Sequence, residues 1–250
     1  MNRIAMRIAY LGSKFQGSQI QPGAKTVGGS ILSDLEKIKI TEPDLKLAGR
    51  TDKGVNALGN VAVVSTSMDP ERMIKALNAV SDDVFYRSFA VVDDSFNPRH
   101  ANERVYRYTL DKMDLDPFLM EECSKLFEGE HDFKHFCKND ERSTVVSMRS
   151  VIINGNSIEF RADHFLWNMI RRIVSAMVSV ASGKSSLSDV KDALNGKDLT
   201  FGIARGDALT LVDVIYNNIK FTDVPDCNGR VREELFRLSL TTDFYNELNK

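Results

Sequence analysis

The run Leu47-Ala48-Gly49-Arg50-Thr51-Asp52-Lys53-Gly54-Val55 holds one carboxylate between two cations, with a glycine at each side. A cation close to a carboxylate favours its ionised form and lowers its pKa by about 1–3 units. By residue type, Arg50 and Lys53 are expected to keep Asp52 charged. An ionised, positioned carboxylate is a nucleophile or a base. Two other readings fit the same residues. Gly49 and Gly54 have the spacing of a phosphate loop, but Val55 stands where that motif needs lysine. A surface turn with a chance salt bridge also fits, since strand-end loops with Asp and Gly are common.

Other chemistry is sparse. His131, His135 and Cys137 cluster in sequence. A metal site needs about four ligands, and a fourth is not evident nearby. Phe133 and Phe136 interleave the cluster, which reads as a helix or turn edge beside the core. Cys123, Cys137 and Cys227 have no CxxC spacing and do not suggest a disulfide framework. With no dinucleotide fingerprint, no phosphate loop and no metal-ligand spacing, no metal and no small-molecule cofactor is expected.

The loop must be held by the elements around it. Ile4, Met6, Ile8 and Tyr10 alternate as in a half-buried strand. Val27, Ile31, Leu35 and Ile38 recur at helical spacing, with Thr26 as cap. Strands are expected over 45–49 and 60–66. A helix is expected from Asp69-Pro70 to about Val80, with Asp as cap and Pro as first residue, and a strand over 84–92. The order then repeats. A strand runs over 104–110, and a helix from Asp116-Pro117 to about Phe127. Two strands, 149–153 and 158–162, flank the turn Asn154-Gly155-Asn156. Helices cover 165–181 and 186–194, and a strand covers 208–216.

Two β-α-β-β-α-β units imply an α+β fold of two related halves, 1–102 and 103–250. In that topology helices cover one face of each sheet, and the other face is expected to remain for a ligand. Such units serve many functions, so topology alone names none.

The bulk numbers mark an ordinary soluble protein. The 250 residues are 42% hydrophobic, with a formal charge of -2. No apolar run reaches the length of a membrane span, and Met1 to Tyr10 lacks an apolar signal core, so a cytoplasmic protein is expected. The mild acidity weighs against a nucleic-acid binder only weakly, since a basic cleft can sit on a neutral body.

The segment GRTDKGVNA resembles the GRTDxGVxA signature of the tRNA pseudouridine synthase A family, with Asn56 where many members have histidine. Three further segments resemble that family in the same order. Tyr10 to Gly17 is similar to its YDGxxFxG run, although Ser18-Gln19 replaces the usual tryptophan-glutamine, so an aromatic contact is expected to be lost. Arg104 to Tyr108 is similar to its RxYRY strand. Phe165 to Val174 is similar to its FLxxMVRxIV helix, with Ser175 for the usual glycine.

The resemblance implies the pseudouridine synthase fold, with a central, largely antiparallel sheet and an RNA-binding cleft. It implies isomerisation of uridine to pseudouridine in the anticodon stem-loop of tRNA, at positions 38, 39 or 40, without a cofactor. It implies Asp52 as the catalytic nucleophile and Arg50 as a residue that helps hold the target nucleotide out of the stack. Tyr106 is implied to stack on the uracil, and Arg171 to pair with the catalytic carboxylate. A homodimer with tRNA as partner is implied as well.

Read from the residues alone, these roles stay open. Tyr106 and Tyr108 also fit a sheet face. Periodicity puts Arg171 and Arg172 equally on the borders of the helix stripe, where both could extend to water. Lys14, Lys25, Lys53, Arg99, Arg104, Arg142 and Arg149 are candidate phosphate contacts. A catalytically silent tRNA-binding protein on the same fold is the competing function. A phosphoryl-transfer enzyme is a third, but it would want a metal held by further carboxylates near Asp52.

Overall fold

A computed structural model describes residues 1–111, 114–138, 143–225, 229, 232, 233, 238, 239, 241, 242 and 248. The first half comprises β1 (Asn2–Tyr10), α1 (Val27–Lys37), β2 (Lys46–Leu47), β3 (Asn56–Thr66), α2 (Pro70–Val80) and β4 (Val84–Val92). The second comprises β5 (Glu103–Thr109), α3 (Pro117–Lys125), β6 (Gly129–Asp132), β7 (Val145–Asn154), β8 (Ser157–Ala162), α4 (Met169–Ala181), α5 (Leu187–Leu194) and β9 (Leu209–Ile215). The short β10 (Thr222–Asp223) follows. This is the expected α+β fold of two related halves.

Local chemistry starts the helices where the sequence suggests. Thr26 accepts a hydrogen bond from the Gly29 N–H, and Asp69 one from the Arg72 N–H. Asp116 accepts from Phe118 and Leu119, and Ser186 and Asp189 form a reciprocal capping box. Each cap satisfies N–H groups that the helix itself leaves unpaired.

The strands form one ten-stranded sheet in the order β10-β4-β1-β3-β9-β5-β8-β7-β6, with β2 beside β3. The halves therefore repeat one strand order, β4-β1-β3-β2 and β9-β5-β8-β7. They join where the first residues of β3, Asn56 and Ala57, run parallel to Thr210 and Leu211 of β9. Every other pairing is antiparallel.

A bulge in β3 lies at this joint: Ile8 pairs with Asn60, but Tyr10 pairs with Ala57. Gly59 sits in it because a Cβ there would lie 2.5 Å from the Val212 carbonyl oxygen. A bulge bends its strand and re-aims side chains, which suits a position beside a site.

Several boundaries differ from expectation. α4 begins at Met169, not at 165, because Asn168 takes a left-handed conformation with φ 62° that interrupts a helix. β3 starts at Asn56 rather than 60, since β9 supplies partners for its early residues. His131 lies on β6, and His135 on a 3-10 turn at Lys134–Phe136. β6 and β10 are too short and too polar to show a period. Cys227 lies outside the described residues.

Candidate active site

The site opens on the helix-bearing side of the sheet, which corrects the expectation of a ligand on the opposite face. Register shows why. Tyr86 and Asn60 both pair with Ile8 and so share its face, and the Tyr86 hydroxyl donates to Asp34 of α1 at 2.9 Å. On β5, Tyr106 pairs with the buried Phe160 and Leu211. A cleft of about 1090 Å³ lies between residues 16–21 and 47–55 on one side and 164–171 on the other, with Tyr106 and Leu209 among its lining residues. It gathers Asp52, Arg50, Tyr106 and Arg171.

A dense polar network holds the 49–55 loop. The fully buried Asn60 amide accepts from Gly49 N–H at 3.1 Å and Val61 N–H at 2.9 Å. It donates to the Gly49 carbonyl at 3.0 Å and the Tyr10 hydroxyl at 3.2 Å. The Tyr10 and Thr51 hydroxyls meet at 2.9 Å. Ser18 clamps Thr51 from both sides: its hydroxyl accepts from Thr51 N–H at 2.8 Å, and its N–H donates to the Thr51 carbonyl at 3.0 Å. Serine at the position of the family's tryptophan thus makes a polar contact of its own. A Cβ on Gly12 would sit 2.3 Å from the Gly54 carbonyl carbon, so only glycine lets these backbones touch. Gly54 turns the loop with φ 83°. Asn56 bridges Gly12 N–H, at 2.9 Å, to the Asp207 carbonyl, at 2.8 Å, and so links the halves.

Asp52 is half-buried, and its electrostatics differ from expectation. Burial raises its pKa above the ordinary aspartate value. The Arg171 guanidinium and then the Trp167 indole N–H pull it down, and the net shift is upward. Arg171 Nη1 lies 3.8 Å from Asp52 Oδ2. Arg50 and Lys53 do not hold the carboxylate ionised: both side chains are exposed, and neither is among the charges that shift Asp52. Sequence adjacency misled here because both neighbouring side chains extend into solvent, where their charge is screened.

Arg171 is fixed from behind. Its Nε donates to the Ala204 carbonyl at 2.7 Å and its Nη1 to Asn168 Oδ1 at 3.2 Å. Asn168 therefore both starts α4 and orients Arg171, a role with no signal in the local residue pattern. Ser175 on the same helix donates to the Phe201 carbonyl at 2.6 Å, tying α4 to the 201–206 segment.

Tyr106 is buried at the cleft wall, its ring edge-on to Phe165 with centroids 5.2 Å apart. Burial holds its phenol far above the ordinary tyrosine range. It therefore stays neutral, which suits a stacking or donating group and not a base.

The candidate phosphate contacts divide. Arg104 is nearly buried and braces the fold. It donates to the Ala48 carbonyl at 3.2 Å, to the Arg99 carbonyl at 2.9 Å and to the Asp163 carbonyl. Lys14 and Lys25 both pair with Asp83, and Arg149 pairs with Glu103. Arg50, Lys53 and Arg99 line the cleft, and among the described residues their side chains have no ion-pair partner. Arg142 lies outside the described residues. Among the described residues, the cleft lining holds five lysines and arginines (Arg50, Lys53, Arg99, Arg104 and Arg171) against one carboxylate, Asp52.

Comparison with known proteins follows the same lines. A family described as tRNA pseudouridine synthase matches residues 123–217. A tRNA pseudouridine synthase A of Pyrococcus horikoshii is 41% identical over 257 residues, covering 96% of this chain and 98% of that protein. Its counterpart in Methanobrevibacter smithii is 33% identical, covering 88% of this chain and 86% of that protein. Among solved structures, a chain of an archaeal box H/ACA sRNP Nop10-Cbf5 complex aligns with a TM-score of 0.32 at 12% identity. That alignment covers 70% of this chain and 43% of the other.

Proposed function

The chain belongs to the tRNA pseudouridine synthase A family and forms pseudouridine in tRNA, and from that premise we propose that Asp52 is the nucleophile of the reaction. The observation that carries this reading is a carboxylate, the only one among the described lining residues, in a basic cleft, facing a fixed arginine and a buried aromatic ring. The isomerisation breaks N1–C1′, turns the base over and joins C5 to C1′. The C5 proton leaves and N1 gains one, so no redox partner enters. Attack on C6, attack on C1′ and removal of the 2′ proton all require an ionised carboxylate beside the nucleotide. Arg171 supplies the opposite charge that favours that form and limits its motion.

The other roles follow. Tyr106 packs against the uracil, because a flipped base needs a flat apolar partner. Arg50, exposed at the cleft with no ion-pair partner among the described residues, occupies the place left by the flipped nucleotide and holds it out. The targets are uridines of the anticodon stem-loop, at positions 38, 39 or 40, a reading supported by the GRTDKGVNA signature. The enzyme acts as a homodimer, a reading supported by the small cleft, which takes a few nucleotides of a much larger tRNA.

The test is Asp52→Asn with unmodified tRNA and no added cofactor, read by mass spectrometry or carbodiimide mapping. Turnover is expected to vanish with tRNA affinity changed less than about threefold, since the amide keeps shape without nucleophilicity. Activity within a few-fold of the parent protein would overturn the assignment.

A further inference from the structure

In the cleft the Trp167 N–H acts on Asp52, but the face of its ring has no part in the proposed reaction. Trp167 is the only tryptophan in the sequence. It lines the cleft with Asp52 and Arg171, yet it is 47% exposed. Large aromatic rings are usually better covered, so an indole held open in a cleft wall is a surface awaiting a flat partner.

Two contacts hold it there. The Lys138 N–H donates to the Trp167 carbonyl at 2.8 Å, and the Lys138 ammonium lies over the ring, 4.0 Å from its centroid. An ammonium over an indole is an attractive cation–π contact. Among the described residues, Lys138 has no carboxylate partner. Its charge is therefore available to a phosphate. Phe165, which touches Tyr106, stands only two residues before Trp167. Two residues span at most about 7 Å. The wall for the target base and the open indole thus sit within reach of neighbouring nucleotides.

We propose that Trp167 and Lys138 form a second nucleotide subsite, in which the indole stacks on the base flanking the target uridine and the ammonium meets a backbone phosphate. The proposal rests on the reading that the target base lies against Tyr106. A flipped base leaves its neighbour without a stacking partner, at a cost that an aromatic platform offsets. Stacking of this kind accepts any base, and a cation beside the ring follows the backbone. That pairing of aromatic and cation is the general composition of single-stranded nucleic-acid sites. The competing role for Trp167 is to orient Asp52 through its indole N–H, and the experiment separates the two.

The experiment has a binding arm and a kinetic arm. In the binding arm, Asp52→Asn protein is titrated with unmodified tRNA while the fluorescence of its single tryptophan is followed. Saturable quenching is expected. In the kinetic arm, Trp167→Ala is expected to raise KM for tRNA about tenfold, which corresponds to about 1.4 kcal/mol. Trp167→Phe keeps a ring and is expected to restore most of the affinity. Lys138→Gln is expected to lower the slope of log affinity against log salt by about 0.7–0.9. Fluorescence unmoved by saturating tRNA would overturn the subsite. So would a Trp167→Phe protein whose kcat falls with KM unchanged and whose acid limb moves, because that pattern belongs to the N–H. The titration needs no turnover and the Asp52→Asn assay needs no tryptophan, so the subsite and the nucleophile fail separately.

Discussion

At the scale of residues, Asp52 sits under two opposed influences, and burial outweighs the Arg171 cation and the Trp167 N–H. Its pKa lies above the ordinary aspartate value, while Arg171 and Trp167 limit the rise. The reactive form is the carboxylate, so activity must fall as pH drops through that raised value. The acid limb of kcat/KM is therefore expected above the usual aspartate range near about 3.9. Arg171→Gln removes the largest lowering influence, and is expected to move the limb to higher pH and lower kcat at neutral pH. An acid limb that stays in place would detach Arg171 from the carboxylate. The same shift has a consequence for stability. A carboxyl group whose pKa is raised by folding favours the folded state when protonated. That contribution is complete below the unfolded value and is lost as pH rises through the folded one. Ionised Asp52 thus opposes folding at neutral pH. Asp52→Asn is expected to melt at a higher temperature than the parent protein at pH 7, with the gap closing in acid; calorimetry at both pH values checks it. The sequence made Asp52 legible through its signature. It hid the sign of the shift, because the exposed side chains of Arg50 and Lys53 do not act on the carboxylate that they flank.

Elements, rather than single residues, set the accuracy of the loop. Asn60 occupies a strand position that would ordinarily carry an apolar side chain, and its amide meets two N–H groups, one carbonyl and one hydroxyl. Replacing it with alanine would strand buried polar groups, each worth about 1–3 kcal/mol when unsatisfied. Asn60→Ala is expected to lower unfolding free energy by about 2–4 kcal/mol in a urea melt and to reduce kcat more than affinity. A loss of less than about 0.5 kcal/mol would show that the loop holds itself. Capping residues and apolar periods made α1, α2, α3 and α5 readable in the sequence. The start of α4 was not, since Phe165 and Leu166 continue the apolar spacing while Asn168 turns the chain left-handed. Nor was the role of Asn56: its two bridges join segments more than 150 positions apart, which no local pattern encodes.

For the molecule as a whole, the formal charge of -2 means that the body does not attract a polyanion. Attraction must come from the cleft, where charges focus between low-dielectric walls. Several cations on the outside cannot contribute fully, since Lys14, Lys25 and Arg149 are already paired with carboxylates. Arg104 is committed to backbone carbonyls. Arg50, Lys53 and Arg99 remain, all in the cleft and none with an internal partner among the described residues. Each phosphate that such a side chain neutralises releases counterions, contributing about 0.7–0.9 to the slope of log affinity against log salt. Changing Arg50, Lys53 and Arg99 together to glutamine is expected to lower that slope by about 2–3 and to weaken tRNA binding at low salt far more than at high salt. Lys14→Gln with Lys25→Gln is expected to lower the slope by no more than about 0.9, because Asp83 offsets one of the two charges. Filter binding across a salt series measures both. Equal losses from the two sets would mean that tRNA is held by diffuse surface charge, and the cleft would lose its standing as the electrostatic centre of the protein.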